Sequence, residues 1–289
     1  MAITTTNQPA ADGRIRSIRT PAMSGGRPGA TASPEPRPFP LVRHSLALAR
    51  RSLIKTWRTP EALVDVTIQP AIFLVVFVYI FGGAVSGSST EYLQYLLPGI
   101  LGQSIATAGI AIGVNLNTDL EKGIFDRFRS LPVPRSAPLL GAVLGDVVRY
   151  VIVTLSTLGV GYLMGFRIST TPPALLAGCL LAVLFALCLS WVSVFIGMKA
   201  RTSGAVQGIM FLLIMPLTFA SSVFVPADSL PGWMQGFVGV NPMTHVVGAM
   251  RGLFVGGPVA GHVTWTLVWC VALVAVFMPL AMRAYRRKV

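Results

Sequence analysis

Six apolar stretches constrain this chain more than any other feature of its sequence. They run over about 62–82, 96–116, 138–165, 174–198, 205–225 and 263–282. An apolar helix needs roughly 20 residues to cross a hydrocarbon core of about 30 Å, and each stretch meets that length. Lipid offers no hydrogen bonds to an open backbone, so spans of this kind must be helical. Composition agrees: 53% of the residues are apolar and the mean hydropathy is +0.70, values of an integral membrane protein. Pro70 and Pro216 fall inside the stretches, as membrane helices tolerate. The first stretch begins some 60 residues in and has no small-residue cleavage pattern behind it, so it does not read as a signal peptide. Cys179, Cys188 and Cys270 all lie within apolar stretches and imply packing rather than a disulfide framework.

The net charge of +13 would suit a nucleic-acid partner if it covered a folded surface. Instead the basic residues flank the apolar stretches. Alternate connections carry Arg43, Arg50, Arg51, Lys55 and Arg58, then Lys122, Arg127, Arg129 and Arg135, then Lys199 and Arg201, then Arg283, Arg286, Arg287 and Lys288. The other connections have only Arg167 and Arg251. With six transmembrane helices, the positive-inside rule therefore predicts both termini in the cytoplasm. No nucleic acid is implied.

Residues 1–40 are rich in Pro, Gly and Arg without an apolar period and read as a disordered cytoplasmic tail. Over 41–58, Val42, Leu46, Ala49, Leu53 and Trp57 recur at helical spacing among five basic and no acidic residues. This predicts an amphipathic helix, either in the inner-leaflet interface or solvated; the unbroken positive charge favours the interface. The transmembrane domain proper occupies 59–289. Small-residue pairs at Gly109/Gly113, Gly141/Gly145 and Gly161/Gly165 predict close helix packing. The outer connection 225–262 is too apolar for a plain loop and too broken by Pro and Gly to span. Short helices on or in the outer leaflet are expected there, one starting at Asn241–Pro242 with Asn as cap. Its apolar face would be Val246, Val247, Met250 and Leu253. His245 has no second His or carboxylate at ligand spacing, so no metal is expected.

The connection after the second stretch is unlike the rest. Only 11% of the chain is charged, yet Asp119, Glu121, Lys122, Asp126, Arg127, Arg129 and Arg135 crowd into seventeen residues. Burying seven charges in lipid would cost on the order of 20 kcal/mol, so the segment is placed in the cytoplasm. Thr118 and Glu121 have the spacing of a capping box. Leu120, Ile124, Phe125, Phe128 and Leu131 form an apolar stripe, and Pro132 and Pro134 stop it. A short amphipathic helix is expected, resting on the bilayer or docking a cytoplasmic protein. Its mixed charge suits protein better than anionic headgroups. Asp146 and Arg149, at i and i+3, are expected to pair at the inner boundary of the third span. The middle of the spans is apolar with a few hydroxyls. Thr107, Phe211, Met215 and Thr218 are candidates for the translocation path of a hydrophobic or amphiphilic cargo.

Four stretches together resemble the permease subunits of ABC-2 type transporters, particularly the daunorubicin-resistance-like drug exporters of actinobacteria. They are TIQPAIFLVVFVYIFGG (67–83), EYLQYLLPGILGQSI (91–105), LEKGIFDRFRSLPVPRSAPLLGAVLGDVVR (120–149) and LPGWMQGFVGVNPMTHVVGAMRGLF (230–254). The resemblance covers about 41–285. It implies an all-α, six-span subunit of the type V, ABCG-like exporter architecture, in a bacterial plasma membrane. It also implies a second permease copy and a separate ATPase subunit, which would hold the ATP and magnesium. On this resemblance 41–58 is the elbow helix. Glu121, Lys122, Gly123, Ile124, Phe125, Asp126, Arg127, Phe128, Arg129 and Leu131 form the coupling helix that contacts the ATPase. The short loop carrying Lys199 and Arg201 is a second contact. This chain has no G-x-x-x-x-G-K-[ST] cradle, so catalysis and cofactor are expected elsewhere.

Two rival classes are weaker. An ion-coupled secondary transporter would bury an acidic relay near mid-membrane, and none of the ten acids lies there. A membrane enzyme would show H-E-x-x-H or G-x-S-x-G, and neither occurs. Within the family, a lipid or polysaccharide exporter is the alternative to a drug exporter.

Overall fold

The computed structural model describes residues 60–123 and 137–288, with side chains over 67–83, 87–123 and 139–288. The expected tail, the 41–58 helix and residues Ile124, Phe125, Asp126, Arg127, Phe128, Arg129 and Leu131 lie outside the described residues. Every regular element among the described residues is helical. Helix α1 is Pro60–Ser86. It is followed by α2 (Ser89–Ala108) and α3 (Ile110–Glu121), then α4 (Ala137–Gly145) and α5 (Val147–Met164). After these come α6 (Pro172–Lys199) and α7 (Ser203–Phe219). A 3-10 turn at Ala227–Ser229 leads to α8 (Gly232–Val240), α9 (Pro242–Val255) and α10 (Ala260–Lys288).

Four helical stretches are long and apolar enough to cross a membrane: Ser89–Glu121, Leu139–Met164, Pro172–Lys199 and Ala260–Lys288. Two shorter apolar helices, Thr67–Gly83 and Ser203–Phe219, accompany them. All six fall on the expected stretches, with shifted ends. The second begins seven residues early because Ser88 accepts a hydrogen bond from the amide of Glu91 (3.2 Å) and caps α2. It also runs on to Glu121, past a single turn residue, Gly109. The fifth stops at Phe219 instead of 225, because residues 220–226 leave the helix and bond to other elements.

The expected capping box does not form. Thr118 lies in the last turn of α3, and its hydroxyl donates to the Val114 carbonyl (2.9 Å). Local capping chemistry loses here to packing: Ile112, Leu116 and Asn117 of the same helix are buried, and α3 lies along α6 and α7. Breaking the helix at Thr118 would forfeit that face. The third stretch is likewise marked by a turn at Asp146, across which helical bonding persists from Tyr150 N–H to the Asp146 carbonyl (3.1 Å).

Helix α2 is the hub. Leu93, Leu96, Leu97, Ile100, Leu101 and Ile105 are all buried, because α1, α5, α6 and α9 surround it. Among its described side chains, helix α1 buries one stripe, Pro70, Leu74, Val78 and Gly82, at i+4 spacing, and exposes Ile72, Tyr79 and Ile80. Exposed apolar side chains also cover α7 and α10, which is what lipid-facing surfaces require. A smaller core of Ile112, Leu116, Leu139, Trp191, Met198 and Tyr285 joins α3, α4, α6 and α10.

The small-residue pairs do two different jobs. Gly113 sits against the backbone and hydroxyl of Ser193, and Gly197 sits against the backbone of Gly113, so α3 and α6 approach to backbone contact with only the small Ser193 side chain at the seam. Gly161 makes room for Leu97. Gly165, by contrast, ends α5 at φ 108°. There Phe166 N–H donates to the Gly161 carbonyl (2.8 Å) and Gly165 N–H to that of Tyr162 (3.2 Å), a Schellman closure.

Replacing Gly113 by Val should therefore force α3 off α6 and cost about 1–3 kcal/mol. The detergent-solubilised protein should melt earlier. Gly159→Ala, at a helical position with open space around it, should leave melting unchanged or raise it.

Candidate functional site

Two polar assemblies lie at opposite ends of α6, a helix of 28 residues. The first gathers the end of α3, the end of α6 and the start of α7. Here Asn117 is 2% exposed. Its Nδ2 donates to the carbonyls of Gly197 (2.9 Å) and Ala200 (3.1 Å), two acceptors that the end of α6 leaves open. The Ser193 hydroxyl donates to the Ile110 carbonyl (3.2 Å) and accepts from Gly113 N–H (3.2 Å). Helix α7 is capped two residues beyond Ala200, where the Thr202 hydroxyl accepts from Ala205 N–H (3.2 Å).

The sequence-expected coupling residues begin at this place. Glu121 is the last residue of α3 and is exposed. Lys122 and Gly123 form the closing turn, with Gly123 at φ 63° and its N–H donating to the Leu120 carbonyl (3.0 Å). Glu121 is thus the tip of a long helix, not the opening of a separate one. Asp146 and Arg149 lie at the α4–α5 junction, 4% and 8% exposed, just before the buried Tyr150. Burial of both charges is the setting in which pairing matters, since an unpaired buried charge is costly.

The candidate path residues are scattered in environment. Thr107 on α2 is half-buried and donates back to the Gln103 carbonyl (2.9 Å). Phe211, Met215 and Thr218 share one face of α7 by their spacing, yet grade from 53% exposed at Phe211 through half-buried Met215 to 1% at Thr218.

The second assembly joins α2, residues 220–226, α8, α9 and the start of α10. Asn241 caps α9 as expected, its Oδ1 accepting from Met243 N–H (2.9 Å). The same side chain donates through Nδ2 to the carbonyls of Leu217 (2.8 Å) and Ala220 (2.7 Å), closing the end of α7. Val246, Val247 and Met250 are fully buried and Leu253 partly so, the face anticipated from spacing. Arg251 is the residue that sequence reasoning undervalued. Its guanidinium donates from Nε and Nη2 to the Tyr95 carbonyl (both 3.2 Å) and from Nη2 to the Ser222 carbonyl (3.1 Å). It also lies 3.7 Å from the centroid of the Tyr95 ring, a cation–π contact. Tyr95 and Tyr92 donate their hydroxyls to the carbonyls of Ser222 (2.9 Å) and Phe224 (3.1 Å). Burial pulls the Arg251 pKa below its ordinary value, and Tyr95 opposes that shift. The signal in the sequence was a lone arginine in a long apolar connection, which must find acceptors.

The fold also brings His262 of α10 to His245, ring centroids 5.8 Å apart, with Trp265 stacked on His245 at 5.5 Å. Neither nitrogen of His245 has a hydrogen-bond partner among the described residues. Burial holds the His245 pKa below 6.5; the nearby Gly239 backbone partly offsets this and His262 reinforces it. No group of three or more His, Cys, Asp or Glu among the described residues could hold a metal.

A chain whose described elements are all helical, with several membrane-length apolar helices and helix ends tied by buried side chains, is an integral membrane protein. The family described as ABC-2 type transporter matches residues 43–255, and this chain belongs to it. It is similar to the daunorubicin resistance ABC transporter permease protein DrrB1 of Streptomyces coeruleorubidus, at 39% identity over 94% of this chain and 93% of that protein. It is also similar to a probable doxorubicin resistance ABC transporter permease protein, DrrC, of Mycobacterium tuberculosis, at 27% identity over 85% and 89%. A putative transport permease, ycf38, of Cyanophora paradoxa shares 25% identity over 78% of this chain and 77% of that protein.

Replacing Arg251 by Met should leave the Tyr95 and Ser222 carbonyls with fewer donors and cost on the order of 2–3 kcal/mol, read as earlier melting. Lys should recover only part, because one ammonium neither forks to both carbonyls nor stacks on the ring. Acidification below 6.5 should also lower stability. The unfolded chain then gains a proton at His245 that the folded chain resists. His245→Gln should flatten the fall in melting temperature between pH 7.5 and about pH 5.5.

Proposed function

We propose that this chain is the membrane permease subunit of an ATP-driven exporter in a bacterial plasma membrane. Its cargo is a hydrophobic or amphiphilic compound of the drug or natural-product class. It crosses the bilayer six times, with both termini and the loop after α3 in the cytoplasm, and works as a pair of copies with two separate ATPase subunits. The partner ATPase holds the ATP and magnesium. The observation that carries the reading is likeness over 94% of the chain to a permease named for daunorubicin resistance. Three features support it: the one-sided basic charge, the apolar middle of the expected spans, free of acids, and the long α2–α3 unit ending in Asp119, Glu121 and Lys122.

The physical logic is that of a two-state membrane domain biased from outside. The ATPase binds the loop after α3 differently in its open and nucleotide-closed states. That difference in contact energy shifts the permease between inward- and outward-facing arrangements. Glu121, with Arg127 further along the same segment, supplies opposite charges for docking. Asp146 and Arg149 pair at the inner boundary and hold the start of the third span. Thr107, Phe211, Met215 and Thr218 lie along the cargo path.

The test is co-expression with a cognate ABC ATPase, followed by ATP-dependent doxorubicin uptake into inverted vesicles. The complex should accumulate drug. Alanine at both Glu121 and Arg127 should abolish uptake while membrane insertion stays normal. Unchanged uptake with unchanged ATPase binding would refute the coupling assignment. ATPase stimulation by a lipid or a lipid-linked glycan, and not by drugs, would move the cargo to those classes.

A further inference from the structure

We propose that Asn117 fastens the tip of α3 to the α6–α7 turn. The tip of α3 and the turn after α6 then move as one lever, and force enters α6 and α7 more than α4. This rests on the reading above that a separate ATPase acts on the loop after α3.

Three observations place the joint there. Asn117 is four residues before Glu121, and its amide grips the Gly197 and Ala200 carbonyls at the very end of α6. One turn earlier, Gly113 and Gly197 let the two backbones touch, and the Ser193 hydroxyl bridges Ile110 and Gly113. Such a seam has no flexible side chain to absorb a shift, so displacement of one helix is passed to the other. Finally, α3 lies along α6 and α7 over much of its length, whereas it meets α4 only through the small core around Leu139, although α4 is its neighbour in sequence. The Asn117 Oδ1 takes no donor among the described residues. Among the described residues the amide thus acts through its N–H groups. Asn117 is a positioning residue, acting through the backbone of the next loop.

Nitroxide labels at Lys122 and Arg201, both exposed, read the lever directly in the full complex with its ATPase. Cys179, Cys188 and Cys270 are replaced first, and doubly labelled chain is diluted with unlabelled chain. The distance between the two labels should be narrow and identical in the nucleotide-free and ATP-trapped states. In singly labelled complexes, the distance between the two copies should change with nucleotide at both sites together. In Asn117→Leu, which keeps shape but has no donor, the site at 122 should still respond to nucleotide while 201 ceases to follow. Drug moved per ATP should fall about fivefold or more while hydrolysis continues, and Asn117→Gln should restore part of it. A 122–201 distance that changes with nucleotide in the unsubstituted complex would overturn the lever alone and leave the transporter intact. So would an Asn117→Leu complex that transports with full coupling. Hydrolysis without movement at either site would overturn the transporter reading and the lever with it.

Discussion

Helix ends are the hardest thing to build in a solvent without water, and this structure depends on how it closes them. Each α-helix leaves four amides and four carbonyls open at its ends, and in or near hydrocarbon each orphan is expensive. Here several of the closures come from other elements. Asn117 serves the end of α6, and Asn241 serves the end of α7 and the start of α9. Trp269 of α10 donates to the Val240 carbonyl at the end of α8 (3.0 Å), and the backbone at Ser169 with the Thr170 hydroxyl closes the end of α9. Capping by distant side chains makes these closures tertiary contacts, beside the local ones at Ser88, Thr202 and Gly165.

This has consequences for mechanics. Between helices that lipid can solvate as well as protein can, packing and hydrogen bonds are what distinguish one arrangement from another. The glycine seam of α3 and α6 and the buried guanidinium of Arg251 are the two firmest examples, at opposite ends of α6. A permease that alternates between states needs parts that do not deform, so that a small push becomes a rigid displacement. The central α2, buried on all sides, and the α3–α6 seam supply such parts.

Much of the fold was legible because the bilayer imposes simple rules. Length and apolarity located the six helical stretches, Asn241–Pro242 announced α9, and its buried face followed from spacing. The failures were local signals defeated by packing. Thr118–Glu121 has capping-box chemistry but sits in a helix whose other face is already buried. Gly165 looked like a packing residue and is a left-handed stop. The value of Asn117 was invisible, because its acceptors lie 80 and 83 residues away. Arg251 stood out as a solitary charge, but nothing in the sequence pointed to Tyr95, 156 residues distant.

The sequence by itself determined that the chain is helical and built for lipid, because hydrophobic length and backbone hydrogen bonding admit few other solutions. It also marked which connections carry charge. Only the tertiary structure decided which helix ends meet, which glycines touch backbone, and which polar side chains close which carbonyls. Those choices turn on distances of a few ångströms between residues far apart in the chain, and one-dimensional periodicity holds no information about them.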